Sequence, residues 1–454
     1  MFQYFKALAA KIGIDKAIAY SSGARIIQAF TGVASIFFVT RYLTDVEQGF
    51  YYTFGSLIAL QVFFELGFTG ILTQYVAHEA SHLEIKSDNS LEGDGKYISR
   101  LASLVRFSVK WYSIIALLFF VIVFVIGYCF FYRFNQTTEE VSWVIPWIMV
   151  VVSASISLIQ SPISSIILGL NKVKEINKVR FFQQIIIPLS SWIGLICGFK
   201  LYVLGVSSVL SVVIWTIYIY KSRLIKILVW LWKVKVEEKV SYVKEIFPYQ
   251  WRIALSWISG YFIFQLFNPV LFATEGPAIA GQMGMTLAVL NGIQALSLSW
   301  LNTKVPLYSG LIAKGEYNKL DNIFNLTLKQ MSFVCLSLLS IMFIGVFGMR
   351  FFQIRLGDNL LGDRFLDYIP MLLMMSTVYI NQYVASWATY VRCHKQEPFL
   401  LNSICGGVIN ALSTIFLGKY FGLYGITIGY FIITLAFMPW SYWIYKTKKN
   451  EWHR

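Results

Sequence analysis

The chain has 454 residues, 57% of them hydrophobic and 13% charged, with a mean hydropathy of +0.63. Average soluble domains carry about 25% charged residues, and a water-facing exterior of this composition would be mostly oil, so a soluble enzyme or soluble binding domain is excluded. The net charge of +15 raises nucleic acid as a partner, but the basic runs from Asn171-Lys172 and from Lys221 lack aromatic stacking platforms, and no nucleic acid is expected.

The first 16 residues place Phe5, Leu8, Ala9 and Ile12 at helical spacing among Lys6, Lys11 and Lys16. That pattern predicts a short interfacial helix rather than a cleavable signal peptide. Apolar windows then predict spans near 17–40, 49–78, 107–132, 143–168, 181–199, 202–220, 249–272, 279–308, 326–349, 367–391, 399–418 and 422–445. Only helices satisfy every backbone polar group over stretches of this length, and the alternating pattern of an outer-membrane barrel is absent. The expected fold is an all-α polytopic membrane protein of about twelve transmembrane helices.

With the N-terminus inside, 26 Lys and Arg fall on the inner side and 7 in the outer loops. This asymmetry puts both termini in the cytoplasm. The inner linker 221–248 is basic and amphipathic, with Leu224, Ile225, Leu228, Trp230 and Trp232 among lysines, and it is expected to lie along the inner interface. It separates an N-terminal lobe, 1–220, from a C-terminal lobe, 249–454. A shift of 232 residues lays the first span on the seventh and Gly49 on Gly281, with an acid, Glu47 or Glu275, in each turn. Six spans per half make two parallel repeats related by a pseudo-two-fold along the membrane normal, with a binding cavity between them.

Ionisable groups inside spans are costly and tend to face a cavity or a partner. Lys110 and Lys329 lie close enough to span ends to snorkel. Arg25 is about 12 Å deep and Glu65 about 20 Å deep at 1.5 Å per residue. They either form a structural ion pair, or Arg25 joins Arg252 and Lys304 in a basic cavity with Glu65 as counter-charge or as a proton or cation site. Guanidinium groups suit phosphate because the planar fork binds two oxygens. Amides concentrate in the same four spans: Gln28, Gln61, Gln265, Asn268, Asn291, Gln294 and Asn302. They either join helix to helix or meet sugar hydroxyls. Asn268-Pro269 and Pro306 are expected to break their helices.

His78-Glu79-Ala80-Ser81-His82 matches the H-E-x-x-H zinc pattern. It sits at a span end with no third ligand in reach, so capping of the helix end is the expected role, and neither a metal nor a catalytic residue is assigned. Cys129, Cys197, Cys335, Cys393 and Cys405 show no paired spacing and read as small hydrophobes. No P-loop is present, so ATP does not power transport on this chain.

The segment Arg41-Tyr42-Leu43-Thr44-Asp45-Val46-Glu47-Gln48-Gly49-Phe50-Tyr51 resembles the first inter-span turn of polysaccharide transporters, the Wzx-like branch of the multidrug/oligosaccharidyl-lipid/polysaccharide (MOP) superfamily. Phe247-Pro248-Tyr249-Gln250-Trp251-Arg252, Gln265-Leu266-Phe267-Asn268-Pro269, Gly281-Gln282-Met283-Gly284-Met285 and Ser299-Trp300-Leu301-Asn302-Thr303-Lys304-Val305-Pro306 resemble the seventh and eighth spans of such flippases. The resemblance implies two six-helix lobes that alternate between inward- and outward-open states. It implies a carrier of undecaprenyl-diphosphate-linked oligosaccharide, of O-antigen (lipopolysaccharide) or capsule type, in the bacterial inner membrane. Arg25, Arg252 and Lys304 would meet the pyrophosphate and the amides the glycan. Its partners would be the lipid-linked substrate, the bilayer and other polysaccharide-assembly membrane proteins. No cofactor is implied beyond a coupling cation, proton or sodium. A cation-coupled drug antiporter of the same superfamily is the alternative, and would prefer acids in the cavity. A polysaccharide polymerase or ligase would need a larger outer loop than this chain has.

Overall fold

A computed structural model describes residues 31–32, 34–86, 90–135, 139–222, 224–357, 359–394 and 396–452. The predicted interfacial helix, Arg25 and Gln28 lie outside the described residues. Among the described residues the chain is helical apart from two short hairpins, β1 (Leu83–Ile85) with β2 (Leu91–Gly93) and β3 (Arg355–Leu356) with β4 (Asn359–Leu360). It is a multi-pass α-helical membrane protein. Among the described residues eight helices, or nine if one broken pair is a single span, are long and apolar enough to cross a membrane.

The helices follow the predicted spans. The first is described as helix α1 over 34–42. The second is α2 (Asp45–Ile58), a 3-10 turn (Ala59–Gln61), α3 (Val62–Glu65) and α4 (Phe68–Ala80). Then come α5 (Gly95–Phe134), α6 (Val144–Gly169), α7 (Val173–Ile196), α8 (Tyr202–Lys221) and the linker helix α9 (Leu224–Lys233). A π-turn (Tyr242–Ile246) leads into α10 (Phe247–Phe264) and α11 (Phe267–Thr274). The remainder are α12 (Pro277–Asn302), α13 (Val305–Ala313), α14 (Tyr317–Phe351), α15 (Tyr368–Arg392) and α16 (Leu400–Trp452). Gly422, at φ 54° and ψ −136°, divides α16 close to the expected gap between the last two spans. Breaks are expected at Asn268-Pro269 and Pro306; the observed gaps lie two to three residues earlier, at 265–266 between α10 and α11 and at 303–304 between α12 and α13. The prolines stand in the first turn of α11 and of α13.

The residues form two compact units. One contains Leu60–Tyr132 and Ser142–Ala254, with the described residues up to Ser35. Its core is built around Trp147 of α6, which lies fully buried against Gly127 of α5. A Cβ on Gly127 would stand 2.1 Å from the indole, so glycine is required for the approach. Amides join its helices: Gln160 of α6 donates to the Val212 carbonyl (3.1 Å) and the Thr216 hydroxyl (3.0 Å) of α8, and Gln183 of α7 donates to Ser211. In a bilayer these bonds replace the water that a solvated amide would use.

The second unit contains Ile36–Ala59, Arg133–Val141 and Leu255–Arg454. The first half of the second predicted span therefore packs with the later helices. Thr44 and Glu47 form a reciprocal capping box that starts α2, each side chain bonding the other's backbone N–H at 3.1 Å. Gly49, Gly281 and Gly284 then let α2 lie directly on α12: a Cβ on Gly49 would meet the Pro277 carbonyl oxygen at 2.0 Å. Gly49 and Gly281, superposed by the 232-residue shift, are in contact, since a Cβ on Gly281 would meet the Gly49 nitrogen at 2.9 Å.

Candidate functional site

The candidate residues divide between the units. In the first, Glu65 ends α3 at a break in the second span. Leu66 and Gly67 both adopt left-handed backbone, φ 51° and 67°. Such a conformation is uncommon for leucine and disfavours continuation of the helix. The interruption is stitched locally: Thr69 donates its hydroxyl to the Glu65 carboxylate, and Tyr112 of α5 donates to the Glu65 carbonyl at 3.4 Å. Glu65 is half-buried. Gln61 is also half-buried, in the 3-10 turn one helical turn before it.

Arg252 lies one and a half turns into α10 and is exposed, with its guanidinium 5.4 Å from the Trp251 ring centroid. Among the described residues it has no carboxylate partner, and Arg25, the other predicted phosphate ligand on this side of the sequence, lies outside them. The exposed face of α4 carries Gly70, Gln74, Ala77 and His78. Among the described side chains no large apolar one is exposed between Tyr42 and Trp111.

In the second unit, α12 and its C-terminal cap carry an exposed stripe of small and polar residues: Ala288, Asn291, Gly292, Ala295, Asn302 and the capping Thr303. Leu296 and Trp300 border it on one side. The neighbouring α14 shows the opposite chemistry, exposing Leu326, Phe333, Leu336, Ile341 and Ile344. A face built like that of α14 suits acyl chains, whereas the α12 stripe suits water or a polar ligand. The stripe ends at the break before α13, where Lys304 is half-buried and unpaired among the described residues. Of the predicted amides, Asn291 and Asn302 lie on this stripe, and Gln294 turns toward the half-buried flank. Gln265 is half-buried in the gap before α11. Asn268 is buried and donates to Ser56 of α2 at 3.3 Å, so it joins helix to helix.

The H-E-x-x-H segment is committed elsewhere. Glu79 is 2% exposed, and its carboxylate accepts from Arg100 Nε at 3.0 Å. His78 is exposed, and His82 stacks on Tyr97 with centroids 4.1 Å apart. Among the described residues no group of three or more His, Cys, Asp or Glu is placed to hold a metal ion.

Two features were not foreseen. One is the break at Leu66, for which Gly67 is the only sequence signal. The other is Arg364, 1% exposed in the turn before α15. It pairs with Asp45 at 2.9 Å and donates to the Leu43 carbonyl at 2.7 Å.

No protein-family model matches the chain, and no curated protein sequence does. Solved structures do. The inward-facing conformation of a multidrug resistance MATE family transporter of the MOP superfamily aligns over 93% of this chain and 99% of its own, at 12% identity and a TM-score of 0.60. The lipid II flippase MurJ, in an inward closed conformation, aligns over 94% of this chain and 87% of its own, at 14% identity and a TM-score of 0.55. An outward-facing MATE conformation aligns over 97% and 96%, at 13% identity and a TM-score of 0.55. The chain has the fold of MOP-superfamily transporters. Identities this low carry the fold and no residue roles. Among the described residues, the second and eighth spans each combine a helix break with small and polar side chains.

Proposed function

We propose that the chain is a flippase carrying undecaprenyl-diphosphate-linked oligosaccharide from the cytoplasmic to the outer leaflet of the bacterial inner membrane by alternating access. The observation that carries this reading is the uncharged stripe of α12, with Asn291 and Asn302 on it and Lys304 at its end. Small residues leave room for a bulky glycan, amides offer both donors and acceptors to hydroxyls, and a cation at the end of the stripe meets phosphate. Arg252, exposed and without a carboxylate partner among the described residues, is a second phosphate ligand, and Arg25 a third. Glu65, at a broken helix and with the Thr69 hydroxyl on its carboxylate among the described residues, is the coupling site for a proton or sodium ion. Both termini face the cytoplasm in this reading.

Glu65 and the multidrug transporters that share the fold also support a second reading, a cation-coupled drug antiporter. A deletion strain separates the two. For the flippase, lipid-linked repeat units accumulate on the cytoplasmic leaflet, and the native chain restores export. The Arg252→Gln/Lys304→Gln variant fails to restore it at normal protein level. Normal surface polysaccharide combined with new drug sensitivity would transfer the assignment to the antiporter.

A further inference from the structure

The linker between the predicted halves is held in place by its own docking surface on α5. The Ser99 hydroxyl accepts from the Glu237 and Glu238 amides at 2.7 and 2.8 Å, and the Ser103 hydroxyl accepts from the Val240 amide at 3.1 Å. Arg106 donates to the carbonyls of Trp232 and Val234. Arg100 joins Glu79 to Glu245, at 3.0 and 2.7 Å. These bonds use the linker's backbone and acids on the inward side and fix which side chains point outward.

The outward side is chemically mixed. Helix α9 buries Leu224, Ile227 and Leu231, with Leu224 joining Ile167, Ile176 and Ile219. Its opposite face exposes Lys226, Val229, Trp232 and Lys233. Further on, Val243 is 71% exposed beside exposed Lys244. A face turned to water has no use for Val229, Trp232 and Val243, and a face turned to acyl chains would not carry the lysines. Lys226, Lys233 and Lys244 form no ion pair among the described residues, whereas Lys235 sits 3.9 Å from Glu237. An amphipathic helix with lysines among exposed apolar side chains belongs at the headgroup boundary of a charged bilayer.

We propose that this linker is a preformed docking site for anionic phospholipid in the leaflet it lies against. Val229, Trp232 and Val243 enter the acyl boundary, and Lys226, Lys233 and Lys244 meet lipid phosphates. Positive charge complements the headgroup, and the apolar side chains distinguish a lipid from a soluble anion. The inference rests on the membrane fold and is independent of what cargo the protein carries.

The test uses full-length protein purified in neutral detergent and measures retained lipid by native mass spectrometry and the unfolding midpoint on lipid addition. Phosphatidylglycerol is expected to be retained at low salt and to raise the midpoint more than phosphatidylcholine does. Each lysine near an anionic surface is worth roughly a fivefold change in affinity. The Lys226→Gln/Lys233→Gln/Lys244→Gln variant should therefore lose most of the preference for phosphatidylglycerol. Lys226→Gln alone, at an exposed position, should lose roughly fivefold and keeps the test available if the triple variant folds poorly. Equal retention of phosphatidylglycerol by native and variant proteins would overturn the proposal. So would inorganic phosphate reproducing the shift, because the site would then take a free anion.

Discussion

Removal of Arg364 should cost far more stability than removal of the acid it pairs with. The guanidinium is 1% exposed, donates to the Leu43 carbonyl at 2.7 Å and to Gln48 Oε1 at 3.3 Å, and pairs with Asp45 at 2.9 Å. Gln48 in turn donates to the Gly281 carbonyl at 2.8 Å, which ties α2 to α12. Burial draws the Arg364 pKa down, and Asp45, Glu47 and Glu139 oppose that shift. Arg364→Ala leaves the Leu43 carbonyl and the Gln48 oxygen without their donor and empties the space of a long side chain. Removing one partner of a buried pair costs about 3–5 kcal/mol. Asp45 has a side chain 62% exposed and regains water when unpaired, which places the expected loss near 3 kcal/mol. Asp45→Asn keeps an acceptor at an exposed position and should cost about 1 kcal/mol or less. Both variants are to be compared by reversible unfolding in mixed micelles, with hydrogen exchange across 45–58 reporting the unit concerned. Equal losses for the two variants, or a loss below about 1 kcal/mol for Arg364→Ala, would refute the assignment of Arg364 as the buried anchor.

Gly49→Ala should force α2 away from Pro277, with a loss of about 1–3 kcal/mol. Gly55→Ala, where a Cβ meets nothing within 4 Å, should be neutral or stabilising by up to about 1 kcal/mol, and the same unfolding assay compares them. Burial pushes the Glu245 carboxyl up, but the Ser241 amide and Arg100 outweigh it and hold the group below its ordinary value. A depressed carboxylate pKa stabilises the fold above the unfolded value of about 4.3, and that contribution is lost as pH falls through the folded pKa. Hydrogen exchange over 236–246 should therefore accelerate, beyond its intrinsic pH dependence, as pH falls below about 5 and through the depressed folded value. In Glu245→Gln that extra acceleration should vanish, and its persistence would point to another titrating group.

What the sequence made legible follows from how each signal arises. Span positions depend on summed hydropathy, which needs no knowledge of neighbours, so the predicted windows fall on helices wherever the residues are described, and the expected gap near 419–421 falls beside Gly422. Breaks just ahead of Asn268-Pro269 and of Pro306 were visible because proline acts locally. The break at Leu66 was not, because a leucine in left-handed backbone is imposed by its surroundings, where Tyr112 donates to the Glu65 carbonyl and Thr69 to the Glu65 carboxylate. Arg364 escaped notice for a related reason. An arginine in a short loop reads as solvated, and only the approach of α2 to α12 encloses it. That approach depends on Gly49 and Gly281, which the 232-residue shift had aligned without indicating that they touch. The glycine pair removes side chains where α2 and α12 would otherwise collide. The polar stripe of α12 lies on another face of the same helix. The glycine contact with α2 fixes how α12 is rotated, and with it whether Asn291 and Asn302 stay exposed. A substitution at Gly49 should thus disturb the candidate site without touching any residue in it.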